Sequence, residues 1–157
     1  AQQINEVSVS STKIRNSLLE GNISLANEYL GYPYVLTGTV VKGNQLGRTI
    51  GFPTANVNIP EDYKLIPKNG VYIVTANVNN KTVFGMMNIG VKPTLGDNKL
   101  SIEVHLLDFD SDIYNQKIQV NILERLRDEQ KFESFEALKL QIELDKQNTI
   151  LYFENLK

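Results

Sequence analysis

The sequence contains no cysteine, which excludes disulfides, thiolate-bound metals and a cysteine nucleophile together and fits an intracellular protein. It contains a single histidine, His105. A zinc site therefore has too few nitrogen ligands, and a hydrolase triad finds no serine context to join. No apolar run approaches the roughly 18 residues of a membrane span. Residues 1–6, Ala-Gln-Gln-Ile-Asn-Glu, have neither the basic nor the apolar region of a secretory signal. A basic excess is missing as well: the net charge of −2 offers no field for nucleic acid, and no strand face is both basic and studded with aromatics. The expectation is a cytoplasmic protein with no membrane and no nucleic-acid partner.

What is present is the composition of an ordinary soluble domain, 157 residues with 41% hydrophobic and 22% charged. The chain begins abruptly, as a fragment of a longer one would. Ser8 to Leu19 opens with hydroxyl residues able to cap a helix and continues with Ile14, Leu18 and Leu19 at helical spacing. Ser24 is expected to open a second short helix that stops at Gly31. From Tyr34 the texture becomes β: Tyr34–Val41, a brief Val57–Ile59, Val71–Val78 and Thr82–Ile89, the last two joined by Asn79-Asn80 at the spacing of a tight hairpin. Gly90 to Asn98 reads as a loop. Leu100 to Leu107 alternates, with Leu100, Ile102, Val104 and Leu106 on one face and Ser101, Glu103 and His105 on the other. Ile118 to Leu126 is a further strand. From Ser134, a helix cap, the apolar residues Phe135, Leu138, Ile142, Ile150, Phe153 and Leu156 form a loose helical stripe. Antiparallel strands separated by such turns suggest a barrel or a sandwich.

The densest special chemistry lies in Gly43 to Asn56. Its glycines let backbone N–H groups approach an anion, Arg48 adds a permanent charge, and the Thr54 hydroxyl and Asn56 amide oxygen are hard donors suited to Mg²⁺. A glycine-rich hairpin loop with a polar end is the alternative reading. It is not a Walker loop, because Gly43 and Gly47 enclose three residues and Arg48-Thr49 follows. It is not a dinucleotide fingerprint, because the middle glycine is missing and no helix follows. Asp108-Phe109-Asp110-Ser111-Asp112 imitates the start of a calcium loop but has Ile113 where glycine and Gln119 where glutamate belong, so a solvated acidic turn is the better reading. Glu103, central in a well-patterned strand, is either solvated or lines a cleft. A carboxylate suffices as general base when an alcohol attacks an activated group such as ATP. His105 reads as a partly buried hydrogen-bonding neighbour of Glu103.

In order, Gly47-Arg48-Thr49-Ile50-Gly51-Phe52-Pro53-Thr54-Ala55-Asn56, Gly70-Val71-Tyr72, Asn88-Ile89-Gly90 with Pro93-Thr94, Ile102-Glu103-Val104-His105 and Asp112-Ile113-Tyr114 resemble the riboflavin kinase (flavokinase) family. Arg127 to Phe132 and Leu138 to Asp145 extend the likeness, which covers about residue 32 to the end. Upstream, Ser10-Ser11-Thr12-Lys13-Ile14-Arg15 resembles the closing motif of the adenylyltransferase module that precedes the kinase in bifunctional bacterial FAD synthetases. The resemblance implies residues 1–31 as the tail of that module with a linker, and residues 32–157 as a riboflavin kinase domain.

The fold it implies is mainly β: a six-stranded antiparallel Greek-key barrel with a long C-terminal helix and short N-terminal helices. The activity implied is ATP-dependent phosphorylation of the ribityl 5′-hydroxyl of riboflavin, giving FMN and ADP, with Mg²⁺. FMN adenylylation is not expected, because that module's His-x-Gly-His-type motif is absent. By the same resemblance Glu103 is the catalytic base. Gly47, Arg48, Gly51, Pro53, Thr54 and Asn56 bind ATP phosphates, Thr54 and Asn56 also the metal, and Arg127 and Phe132 belong to the flavin site. Asn115 stands where the family usually has glycine, and Gln130 where lysine is common. The rival reading is a non-catalytic β-barrel module that binds a flavin or nucleotide.

Overall fold

The computed structural model describes residues 2–41, 54–61, 64–94, 97–109 and 111–156. Two helices, α1 (Gln2–Glu20) and α2 (Ile23–Leu30), lead into six strands: β1 (Tyr34–Val41), β2 (Ala55–Asn58), β3 (Gly70–Val78), β4 (Lys81–Thr94), β5 (Asp97–Leu106) and β6 (Lys117–Arg127). Helix α3 (Phe135–Asn155) follows them. The strands close a barrel in the order β1-β2-β5-β4-β3-β6, with every pairing antiparallel. β2 neighbours β5 rather than β3, and β6 closes the ring between β3 and β1, so the path is of Greek-key type. Closure leaves no long edge to recruit another chain.

Alternation sets the inside of the barrel. Tyr72, Val74, Ala76 and Val78 of β3, Met87 and Ile89 of β4, Ile102, Val104 and Leu106 of β5, and Ile118, Val120 and Ile122 of β6 form one buried cluster. The Asn79-Asn80 turn joins β3 to β4 with φ of 50° and 64°, the left-handed pair that a two-residue hairpin requires and asparagine tolerates. Asn115, at φ 70°, likewise holds a left-handed turn position, one that asparagine tolerates and that also suits the glycine expected there from the family resemblance.

Four local expectations are corrected. α1 begins at Gln2, so Ser8 to Thr12 lie within the helix instead of capping it. The cap of α2 is Asn22, whose side chain accepts from the Leu25 N–H, while the Ser24 hydroxyl donates to Glu124 on β6. Gly90 to Asn98 is largely strand rather than loop. β3 pairs with β4 as far as Ile89, and from Gly90 to Thr94 β4 pairs with β5, an edge position where Pro93 forfeits no ladder bond to a second neighbour. The fourth concerns α3. Ser134 does cap it, accepting from the Ala137 N–H, but the buried residues are Asp145, Thr149 and Phe153, at i, i+4 and i+8, whereas Phe135, Ile150 and Leu156 are exposed. The barrel's outer wall decides this face: Phe84 of β4 stacks on Phe153 with ring centroids 3.9 Å apart, and Arg127 of β6 meets Asp145.

The N-terminal helices dock on the β6 side. Leu18, Ile23 and Ala26 join the core cluster, the Asn27 amide donates to the Ile122 carbonyl at 2.9 Å, and the Lys68 N–H donates to the Leu18 carbonyl. Arg125 fills the joint. Its guanidinium donates to the Asn69 carbonyl, pairs with Asp128 at 3.1 Å and lies over the Tyr72 ring. Gly21 sits at φ +83°, a conformation that favours glycine, and a Cβ there would meet Arg125 Nε at 2.5 Å, so the arginine side chain would have to shift.

Candidate active site on the outer face of the barrel

Strand register assembles residues that are far apart in the chain. Asn56 of β2 lies directly opposite Glu103 of β5, and on its other side Glu103 lies opposite Asn88 of β4. The rung continues from Asn88 to Val71 of β3 and from Val71 to Arg127 of β6. Directly opposed residues of antiparallel strands project from the same face, with Cβ atoms about 4.5–5.5 Å apart. Because Ile102 and Val104 are in the core, Glu103 points outward, and Asn56 and Asn88 share that outer face. All three are half-buried, as is His105, whose register partner is the buried Met86. The sequence-expected neighbourhood of Glu103 and His105 on one face is therefore present.

Thr54 immediately precedes β2 and is half-buried. Gly47, Arg48, Gly51 and Pro53 lie outside the described residues. Among the described residues no group of three or more His, Asp or Glu side chains is arranged to hold a metal. The oxygen donors at and beside the rung are instead the Thr54 hydroxyl, the Asn56 and Asn88 amides and the Glu103 carboxylate, a sparse hard-donor set. Such a set suits a cation that keeps most of its shell in water and substrate phosphates, as Mg²⁺ does.

At the far end of the rung, Arg127 closes β6. Its Nε lies 3.0 and 3.1 Å from the two carboxylate oxygens of Asp145, its Nη2 donates to Asp145 Oδ2 at 2.8 Å, and its Nη1 donates to the Asp128 carbonyl at 3.0 Å. Gln141, one turn earlier on α3, donates to Asp145 Oδ1 at 3.0 Å. The guanidinium carbon stands 5.9 Å from the centroid of the Phe132 ring. Arg127 and Phe132, both expected in the flavin site, are thus neighbours in space. The Arg127 side chain is committed to Asp145 and to its own strand exit, while Phe132 stays half-buried.

Two residues near this face had no assigned role at the level of sequence. Asn88 belongs to a motif block, but its place beside Glu103 follows from β4–β5 register, which no local pattern reveals. Glu129 lies over Gly90, where any Cβ would collide with its carboxylate. Gly90 is two residues along β4 from Asn88, so the exposed Glu129 side chain brings a second acidic group near the rung.

A closed six-stranded antiparallel barrel with a polar rung on its outer wall and a helix pinned at the end of that rung defines the structural class. Comparison with known proteins identifies the family. The family model for riboflavin kinase (Flavokinase) matches residues 30–153. Curated relatives named bifunctional riboflavin kinase/FMN adenylyltransferase include one from Listeria monocytogenes, 47% identical over 95% of this chain and 48% of its own length. Another, from Escherichia coli, is 44% identical over 88% of this chain and 44% of its own. Among solved structures, riboflavin kinase from Trypanosoma brucei aligns with a TM-score of 0.54 at 27% identity, covering 78% of this chain and 81% of that one. A crystal structure of a macrolide-efflux protein from Streptococcus pneumoniae aligns with a TM-score of 0.83 at 38% identity, covering 88% of this chain and 45% of that one. No helix among the described residues is long and apolar enough to cross a membrane. The chain belongs to the riboflavin kinase family, and it spans about half the length of the curated relatives it matches.

Proposed function

We propose that this chain transfers the γ-phosphoryl group of ATP to the 5′-hydroxyl of riboflavin, and that the Asn56–Glu103–Asn88 rung is where the transfer occurs. The observation that carries the reading is the direct cross-strand pairing of Asn56 with Glu103 in a chain of this family. The riboflavin hydroxyl oxygen attacks the γ-phosphorus and a new P–O bond forms. The bond from that phosphorus to the bridging oxygen breaks, ADP leaves, and the hydroxyl proton passes to the Glu103 carboxylate. Phosphoryl transfer asks little covalent chemistry of a protein, so positioning and charge stabilisation dominate.

Thr54 and Asn56 would hold Mg²⁺ through their oxygens; when bound, the ion neutralises charge building on the phosphates. Gly47, Arg48, Gly51 and Pro53 would cover the phosphates. That cover matters because water competes with the alcohol as acceptor. Phe132 would border the flavin, with Arg127 beside it.

Residues 1–31 we read as the tail and linker of an upstream adenylyltransferase module, supported by the bifunctional names of the relatives and by a family match that begins at residue 30. On that reading residues 32–157 phosphorylate riboflavin, adenylylation of FMN belongs to the upstream module, and the protein works in the cytoplasm, where ATP is available. Incubation with Mg-ATP and riboflavin, followed by chromatographic separation of flavins, tests the proposal. FMN and ADP should form in equal amounts, and failure to form FMN across pH and divalent metals overturns it.

A further inference from the structure

We infer that Asp145 is a positioning residue for the flavin, acting through Arg127 on the segment that carries Phe132; the inference rests on the kinase reading above. A helix packing on a barrel wall would ordinarily bury an apolar stripe. α3 instead buries Asp145, 3% exposed, and Thr149, 0% exposed, along the line that ends at Phe153. The Thr149 hydroxyl is spent on the Asp145 carbonyl of the preceding turn at 2.7 Å, so it is satisfied within the helix. The Asp145 carboxylate faces outward from α3 and receives Arg127 Nε, Arg127 Nη2 and the Gln141 amide.

Taking both charges out of water cancels much of their attraction, so such a pair is a poor device for stability alone and a better one for fixing geometry. What it fixes here is specific. With Nε and Nη2 held by Asp145, Nη1 reaches the Asp128 carbonyl, which sets the direction of the chain as it leaves β6. The same guanidinium lies by the Phe132 ring. Arg127 is also the terminal member of the rung that contains Glu103. Asp145 thus ties the outer helix to the one segment that joins the polar rung to the expected flavin site. The planar fork is needed for this, because a lysine ammonium offers a point charge without the two-pronged geometry.

The test compares wild type, D145N and R127K by steady-state kinetics with riboflavin and ATP varied separately, and by riboflavin fluorescence titration in the presence of ADP. D145N keeps the shape of the side chain and removes the charge. R127K keeps the ion pair and gives up the fork. Each should raise the KM and Kd for riboflavin about 10- to 100-fold, the scale of a charged hydrogen bond, while the KM for ATP stays within about twofold. The double variant should be little worse than either single one, because both act on one contact. A purely structural role would lower the melting temperature and the active fraction while leaving both KM values unchanged. That result, or an unchanged riboflavin KM in folded R127K alone, overturns the inference. Absence of FMN formation by the wild type would instead overturn the kinase reading, so the two failures are distinct.

Discussion

Asn56 and Glu103 are forty-seven positions apart in the chain and directly opposite each other across the β2–β5 pairing. β2 is four residues long, so its register against β5 is what brings the end of the Thr54-Ala55-Asn56 run beside the carboxylate. A shift of one residue would turn Asn56 to the other face. The proposed metal-holding amide and the proposed base are therefore fixed by barrel closure rather than by any local motif.

Replacing Asn56 by alanine removes one of the two oxygens proposed to hold Mg²⁺. The KM for Mg-ATP should rise about 10- to 100-fold, and more total Mg²⁺ should be needed for half-maximal rate, with riboflavin affinity within about twofold of wild type. Titration of Mg²⁺ at fixed ATP, with flavin binding followed by fluorescence, measures both. An unchanged metal requirement contradicts the assignment of Asn56.

Asn88 is the other cross-strand neighbour of Glu103. N88A should lower kcat by roughly tenfold through loss of an oriented amide. N88D should lower it further, because the isosteric carboxylate sets like charges directly opposite on neighbouring strands. A merely space-filling role predicts the reverse order, with the isostere the milder change. Measuring kcat in both variants under saturating substrates separates the two.

Tyr34 and Tyr72 link the barrel to the segment before β3: their hydroxyls donate to the carbonyls of Leu65 and Lys68. Burial pushes both phenols above the usual tyrosine value, an effect that the nearby Arg125 guanidinium partly offsets for Tyr72. Their folded-state pKa values are raised. Their contribution to stability is therefore complete below about pH 10, the unfolded value, and is lost as pH rises through the folded values. Urea unfolding at pH 8 and at pH 11 should show a fall in stability for wild type and a smaller fall for Y72F. At pH 8, Y72F should already be weaker by about 1 kcal/mol, having lost a hydrogen bond. An equal alkaline fall in both proteins contradicts this.

Much of the fold is legible in local pattern. The alternation of Ile102, Val104 and Leu106 marks the inner face of β5, although Leu100, of the same parity, is exposed; the Asn79-Asn80 pair marks the β3–β4 hairpin, and Ser134 and Gly31 mark helix ends. The parts that escape sequence reading are those settled by a partner. Which face α3 buries depends on Arg127 and Phe84 of the barrel wall, so its own apolar residues mislead. β4 runs on through Gly90 and Pro93 because β5 is there to pair with it. The candidate site follows the same rule. Residue chemistry singles out Glu103, Thr54 and Asn56, but Asn88, Glu129 and Asp145 acquire their places from register and packing alone.

The most direct measurement of the central claim is single-turnover FMN formation by Glu103→Gln beside wild type, with riboflavin and ADP affinities determined on the same samples. The account predicts that wild type makes FMN, and that E103Q binds both ligands within a few-fold of wild type while its phosphoryl-transfer rate falls by about 10²–10⁴, the usual contribution of a general base. A rate for E103Q within about threefold of wild type, on the scale of a barrier change under 1 kcal/mol, would contradict it.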